Sequence, residues 1–341
     1  MTPDPPLAAR PVGRTGVRVT RLMFGGAPIA GLYSAVPDDT AQATLAAAWA
    51  AGIRAFDTAP HYGAGLSEQR LGAFLRGRPR TEFTLSTKVG RRLVPADADV
   101  EGAEGFYGTP RLRRVRDYSR DGALASLEAS LTRLGLDRVD IALIHDPDDH
   151  ATEALDGAYA ALAQLRAEGV VGAIGLGMNQ APLLAWFVRH TDLDCLLVAG
   201  RYTLLDASAA GELFPLCQQR GVAVLAGGVF NSGVLAQPDD GARYDYHRAD
   251  PAIVARARRI QAVCARHGLP LAAAALRFTL AHPAVTAAVV GARSAAEITA
   301  DASYLAAPWP AGLHQELAAE GLLPDGTPPA GAGSALPAGA G

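Results

Sequence analysis

Eight short, almost wholly apolar runs recur along the chain, and each is followed by a stretch that reads as helix. The runs fall at residues 22–24, 53–56, 83–87, 139–144, 173–176, 195–198, 222–225 and 285–290. A strand that is apolar at nearly every residue, rather than at every second one, is buried on both faces, as in a parallel sheet covered by helices. Helices are expected at 40–51, 67–75, 121–134, 153–168, 182–189, 212–220, 252–267, 271–280 and 295–305. The 121–134 stretch shows the period most plainly, with Leu124, Leu127, Leu131 and Leu134 on one face. Strand-then-helix units repeated eight times with no break between them predict an α/β fold, a single (β/α)8 barrel, over residues 12–320. A doubly wound sheet would favour a glycine-rich phosphate loop after its first strand, and only Gly25 and Gly26 stand there. A small hairpin is expected across residues 14–16. The proline- and alanine-rich ends, 1–11 and 322–341, are expected to be disordered.

Composition narrows the class of partner. At 49% hydrophobic and 19% charged, a chain of 341 residues can bury a large core, and its net charge of -3 offers nothing to a polyanion. No apolar stretch is long enough to span a bilayer. Cys195, Cys217 and Cys264 match neither a metal-site spacing nor a disulfide framework. With no signal-peptide core at the N-terminus, these features point to the reducing cytoplasm. The expected partner is therefore a small molecule, bound by a monomer or small homo-oligomer, with no nucleic acid, membrane or metal.

Four polar residues interrupt this apolar framework in a regular way. Asp57 ends the second run and Tyr62 follows five residues later, in GIRAFDTAPHYG; Lys88 follows the third run in FTLSTKVG; His145 follows the fourth in RVDIALIHD. Singly, each has a structural explanation: a carboxylate satisfied by amides, a tyrosine packed at a rim, a histidine in a loop. Together, on successive strand ends, they build a site at the C-terminal mouth of a barrel. A buried lysine costs several kcal/mol to desolvate unless paired, and Asp57 is the available counter-ion. The ammonium is expected to depress the pKa of the Tyr62 phenol, which then exchanges a proton with a carbonyl or alcohol oxygen that His145 also holds. Two connections, 90–120 and 227–250, are too long to be plain links and leave the same end of the barrel.

These motifs resemble the aldo-keto reductases, with similarity over residues 12–305; LEASLTRLGLDRVD resembles the helix-to-strand signature between the lysine and the histidine. The resemblance implies a nicotinamide dinucleotide bound without a Rossmann domain, with Asp57, Tyr62, Lys88 and His145 as the catalytic set. It places the carboxamide on Asn179. It places the pyrophosphate under a loop of Gly227, Gly228, Val229, Phe230, Asn231, Ser232 and Gly233, and the adenosine by Gly291, Arg293 and Ser294. Met178 stands where the family has serine, Ala199 where it has glutamine, and Gly227 where it has a tyrosine stacked on nicotinamide. Because Arg293 has no second cation near it, and Glu297 opposes a phosphate, NAD is expected, with NADP accepted.

GVFNSGVL, KVGRRLVP and HDPDD are most similar to the family's sugar 1-dehydrogenases. That likeness implies oxidation of a cyclic hemiacetal to a lactone, with L-fucose, L-galactose or D-arabinose as substrates. Pyridoxal, which also presents a hemiacetal, stays open, as does general aldehyde reduction. A non-enzymatic accessory role has no membrane-facing patch to support it. Arg91, Arg92, Arg116, Asp117 and Tyr118 are available to a polyol, although most read as a solvated loop.

Overall fold

The computed structural model describes residues 7–98, 100–325 and 327. Its centre is a closed barrel of eight strands: β1 Leu22–Gly25, β2 Ala55–Asp57, β3 Thr84–Val89, β4 Ile141–His145, β5 Ala173–Met178, β6 Cys195–Ala199, β7 Ala223–Gly227 and β8 Val285–Gly291. They pair in chain order, all parallel, and β8 closes on β1 through Ala288↔Leu22 to Gly291↔Gly25. The surrounding helices are α1 Asp38–Ala50, α2 Leu66–Leu75, α3 Arg120–Leu134, α4, α5 Ala181–His190, α6 Leu213–Arg220, α7 Pro251–Arg266, α8 Leu271–Ala281 and α9 Ala295–Tyr304. α4 joins Ala151–Glu153, a π-helical turn Ala154–Tyr159, and Ala160–Ala167. A further helix, α10 Leu313–Ala319, was not foreseen and docks on α7.

Two apolar layers follow from alternation along each strand. Met23, Ala55, Leu143, Leu197, Leu225 and Ala287 point inward and fill the barrel. Their neighbours Phe24, Phe56, Leu85, Ile144, Val224 and Ala288 point outward under the helices. This is why the strands carry no charged residue until the mouth is reached.

The ends differ from expectation. Ala9–Pro11 is a strand, paired antiparallel with Arg18–Thr20, so the hairpin forms and the disorder expected there does not hold for residues 9–11. Val12 and Val19, both buried, join the inner layer, and Leu7 packs on the outer one. Apolar side chains inside a PVGRTGVRV frame supply the burial that composition hid. At the other end Leu322 is buried and Arg256 donates to its carbonyl at 3.0 Å. The rest of the expected disorder, at 1–6 and at 326 and 328–341, lies outside the described residues.

Both long connections carry hairpins. Arg91–Pro95 pairs with Leu112–Arg116, and Arg243–Tyr244 pairs with His247–Arg248. Gly65 precedes α2, and the Ser67 hydroxyl, buried inside the helix's first turn, accepts from Thr58 Oγ1 at 2.7 Å. No helix of the described residues is long and apolar enough to cross a membrane.

Candidate active site

The strand register brings the four polar residues together. Asp57 lies opposite Ser86, so Ser86 and Lys88, two residues apart on β3, face the same side as the carboxylate. Ser86 Oγ donates to Asp57 Oδ1 at 2.7 Å, and Lys88 Nζ donates to Asp57 Oδ2 at 2.7 Å. Thr87, between them, faces out and donates to Glu68 of α2 at 2.8 Å. Lys88 Nζ also donates to the Thr58 carbonyl and to Tyr62 Oη, each at 3.0 Å. An ammonium has three hydrogens, so all of them are engaged. Tyr62 Oη accepts one of these bonds, and its own hydrogen remains to donate elsewhere. The His145 ring stands perpendicular to that of Tyr62, with centroids 5.7 Å apart. Asp57 and Lys88 are almost wholly buried, which a charge pair tolerates only with its remaining lone pairs and hydrogens satisfied, as here.

Tyr118 fixes the fourth strand end from behind. It is fully buried, and its hydroxyl donates to the His145 carbonyl at 2.7 Å and to that of Asp146. Gly90, at φ +100, makes this possible: a Cβ there would lie 2.3 Å from the Tyr118 ring. Tyr118, a candidate for polyol contact, is therefore a buttress. Arg92 pairs with Asp117 at 3.2 Å on the hairpin's outer side, leaving Arg91 as the buried member of that group.

Electrostatics correct one expectation. Burial, then the Asp57 and Asp146 carboxylates, hold the Tyr62 phenol well above its ordinary range, and Arg91 opposes them only in part. Desolvation outweighs the neighbouring ammonium, whose charge is neutralised by Asp57. The phenol is thus a proton donor at neutral pH. Burial, with Arg91, Lys88 and His61, pushes His145 well below its usual range, so its imidazole is neutral there. Its Nδ1 is buried without a partner, and Nε2 lies 3.5 Å from Asp146 Oδ2.

The four open into a cavity of about 1040 Å³ that runs to α9. Asn179, Gly227, Gly228, Val229, Phe230, Ser232, Gly233, Gly291 and Arg293 line it as expected. Asn231 does not: it is buried, and its amide donates to the Gly200 carbonyl at 3.3 Å. Neither does Ser294, whose hydroxyl caps α9 by accepting from the Glu297 amide at 3.2 Å. The Arg293 guanidinium is held by Ser34 and the Leu32 carbonyl, and Glu297 accepts from the Arg293 backbone at 2.8 Å. Met178, in the serine position, also lines the wall.

Lining residues that went unforeseen include His61, Phe106, Asp146, Tyr246 and Asp301. Only Asp146 had a sequence signal, its place directly after His145. Tyr246 sits at a hairpin tip with φ 68, after Asp245 at φ 46, and Arg201 grips Asp245 at 2.8 and 3.1 Å. The cavity suits a nicotinamide dinucleotide. It lies at the upper end of the usual ~300–1,000 Å³ for ligand sites, and glycines free its middle for close backbone approach. At Gly233, φ +107, nothing lies within 4 Å of a Cβ position.

The barrel and its strand-end tetrad are those of one enzyme class. The Aldo/keto reductase family model matches residues 21–319, and the chain belongs to that family of NAD(P)-dependent oxidoreductases. It is 46% identical over 316 residues to a D-threo-aldose 1-dehydrogenase of Pseudomonas sp, covering 91% of this chain and 96% of that one. It is 39% identical over 334 residues to a pyridoxal 4-dehydrogenase of Microbacterium luteolum, covering 92% and 97%. Among solved structures, an aldo-keto reductase from Bacillus halodurans in its holo form matches with TM-score 0.72 at 25% identity, over 93% of this chain and 96% of that one. A glycerol dehydrogenase from Gluconobacter oxydans shares the fold, with TM-score 0.73 at 22% identity, over 92% and 94%.

Proposed function

We propose that the protein is an NAD-dependent dehydrogenase that oxidises an aldose at its anomeric carbon, converting the cyclic hemiacetal to a lactone. The observation that carries the mechanism is the complete engagement of Lys88, which directs the Tyr62 hydroxyl away from the ion pair. In the oxidative direction the Tyr62 oxygen, as phenolate, takes the proton of the anomeric hydroxyl. The hydroxyl oxygen becomes a carbonyl oxygen as the C1–H bond breaks. The nicotinamide, when bound, accepts the hydride. Neutral His145 donates a hydrogen bond to the same oxygen and orients it. The raised phenol pKa makes Tyr62 an acid for reduction and makes oxidation depend on alkaline pH.

Two observations support NAD over NADP. The Glu297 carboxylate lines the far end of the cavity and opposes a 2'-phosphate, and Asp301, one helical turn further along α9, offers it no cation. The Arg293 guanidinium, the candidate phosphate partner, is already held by Ser34 and Leu32. Gly227, Gly228 and Gly233 would pass the cofactor's middle along their backbone. The 46% identical relative favours an aldose, and the 39% identical one keeps pyridoxal as the second reading.

The test is reduction of NAD and NADP, separately, by L-fucose, L-galactose, D-arabinose and pyridoxal. The expected result is lactone formation from at least one aldose, with kcat/KM higher for NAD. Pyridoxal exceeding every aldose would replace the substrate, and rapid aldehyde reduction with no aldose oxidised would replace the reaction.

A further inference from the structure

Asp146 has an unusual place beside the tetrad. It follows His145 directly and takes a left-handed backbone, φ 43, a conformation open to aspartate that its surroundings hold in place. Four contacts do so. Its amide donates to the Gly177 carbonyl at 3.0 Å, and its carbonyl accepts from Tyr118. Its Oδ2 accepts from the Arg91 guanidinium at 2.7 Å and lies 3.5 Å from His145 Nε2. Arg91 in turn is nine-tenths buried and donates to His61 Nδ1 at 3.3 Å. Oδ2 takes both side-chain contacts the structure shows for this carboxylate, leaving Oδ1 over. The side chain is 30% exposed and lines the cavity.

We infer that Asp146 reads the hydroxyl on the carbon next to the reacting one, and that Arg91 positions it to do so. The inference rests on the aldose reading above and names the group that recognises that substrate. An oxygen shared by Tyr62 and His145 sits against Nε2, which is itself close to Asp146. The neighbouring hydroxyl of a sugar lies within hydrogen-bond distance of the reacting one, so it falls beside the carboxylate. A carboxylate accepts and does not donate. It therefore favours a substrate hydroxyl there and leaves an unmatched charge when the hydroxyl is missing. The twisted backbone turns the carboxylate into the cavity rather than along the strand.

The test uses the whole protein with NAD and two sugars that differ only at C2, D-arabinose and 2-deoxy-D-ribose. Wild-type kcat/KM is expected to favour D-arabinose about 10- to 100-fold, the span of a hydrogen bond to a charged group. Asp146→Asn keeps the shape and tolerates the left-handed backbone. It should cut the preference below about threefold, a change in the ratio of the two kcat/KM values that any shared effect on Tyr62 and His145 does not move, with the dissociation constant of NAD unchanged. Arg91→Met should weaken the preference and Arg91→Lys restore part of it. If Asp146→Asn slows both sugars equally, or keeps the wild-type preference, the assignment is wrong. Wild-type enzyme that oxidises both sugars equally also overturns it while the aldose reading stands; wild-type enzyme that oxidises no aldose overturns both.

Discussion

At the scale of single residues, the molecule places its ionisable groups where burial outweighs charge. Tyr62 is one case and Asp301 another. The Asp301 carboxyl faces the far end of the cavity, and burial, with Glu297 one turn away, raises its pKa from 3.8 to about 7. A carboxyl with a raised pKa binds its proton more tightly in the folded chain than in the unfolded one. Its contribution is fully present below the unfolded value, near 4, and is lost as pH rises through about 7. This group should therefore make wild-type stability fall between pH about 4 and 7, and Asp301→Asn should flatten that slope, read by urea unfolding at each pH. Parallel slopes would show that the carboxyl is hydrated and not buried. Asp301 was not legible in the sequence, because an aspartate in ITADASY reads as the polar face of a helix until α9 is seen to turn it toward the cavity.

At the scale of elements, the barrel strands were legible because a strand buried on both faces has few options. Their positions agree with the sequence to within two residues, and the charged exceptions to apolarity fell at the mouth. The hairpins in the long connections were not legible. RRLVP and LRRVR carry charge at half of their positions and pair only with each other, so their periodicity signals nothing about a core. The same limit applies to Glu68, which reads as a favourable charge in a first helical turn and is in fact fully buried. It accepts from Thr87 at 2.8 Å and from Arg133 Nε at 2.6 Å, tying α2, α3 and β3 together one residue from Lys88. Removing one partner of a buried pair leaves a charge unmatched and costs about 3–5 kcal/mol. Arg133→Met should lower the unfolding free energy by that much, while Glu68→Gln with Arg133→Met together should recover a good part of it. A loss in the double variant equal to the sum of the Glu68→Gln and Arg133→Met losses would mean that the pair is not coupled.

At the scale of the whole molecule, a closed parallel barrel makes the site by convergence: residues distant in sequence share one mouth because every strand ends there. That is why the tetrad was readable from strand ends, while contacts set by tertiary packing were not. Asn231, Ser294 and Arg293 each have plausible sequence positions, and each is engaged by other parts of the fold. The central claim is that this mouth oxidises a sugar through the Tyr62 oxygen. The most direct measurement is steady-state oxidation of the best aldose by wild type and Tyr62→Phe across pH, beside NAD binding to each. Wild-type kcat should still be rising at pH about 9 to 10, because burial holds the phenol up. For Tyr62→Phe, kcat should fall by about 10²–10⁴, with the dissociation constant of NAD little changed. A Tyr62→Phe enzyme that keeps wild-type turnover and its pH profile would contradict the central claim.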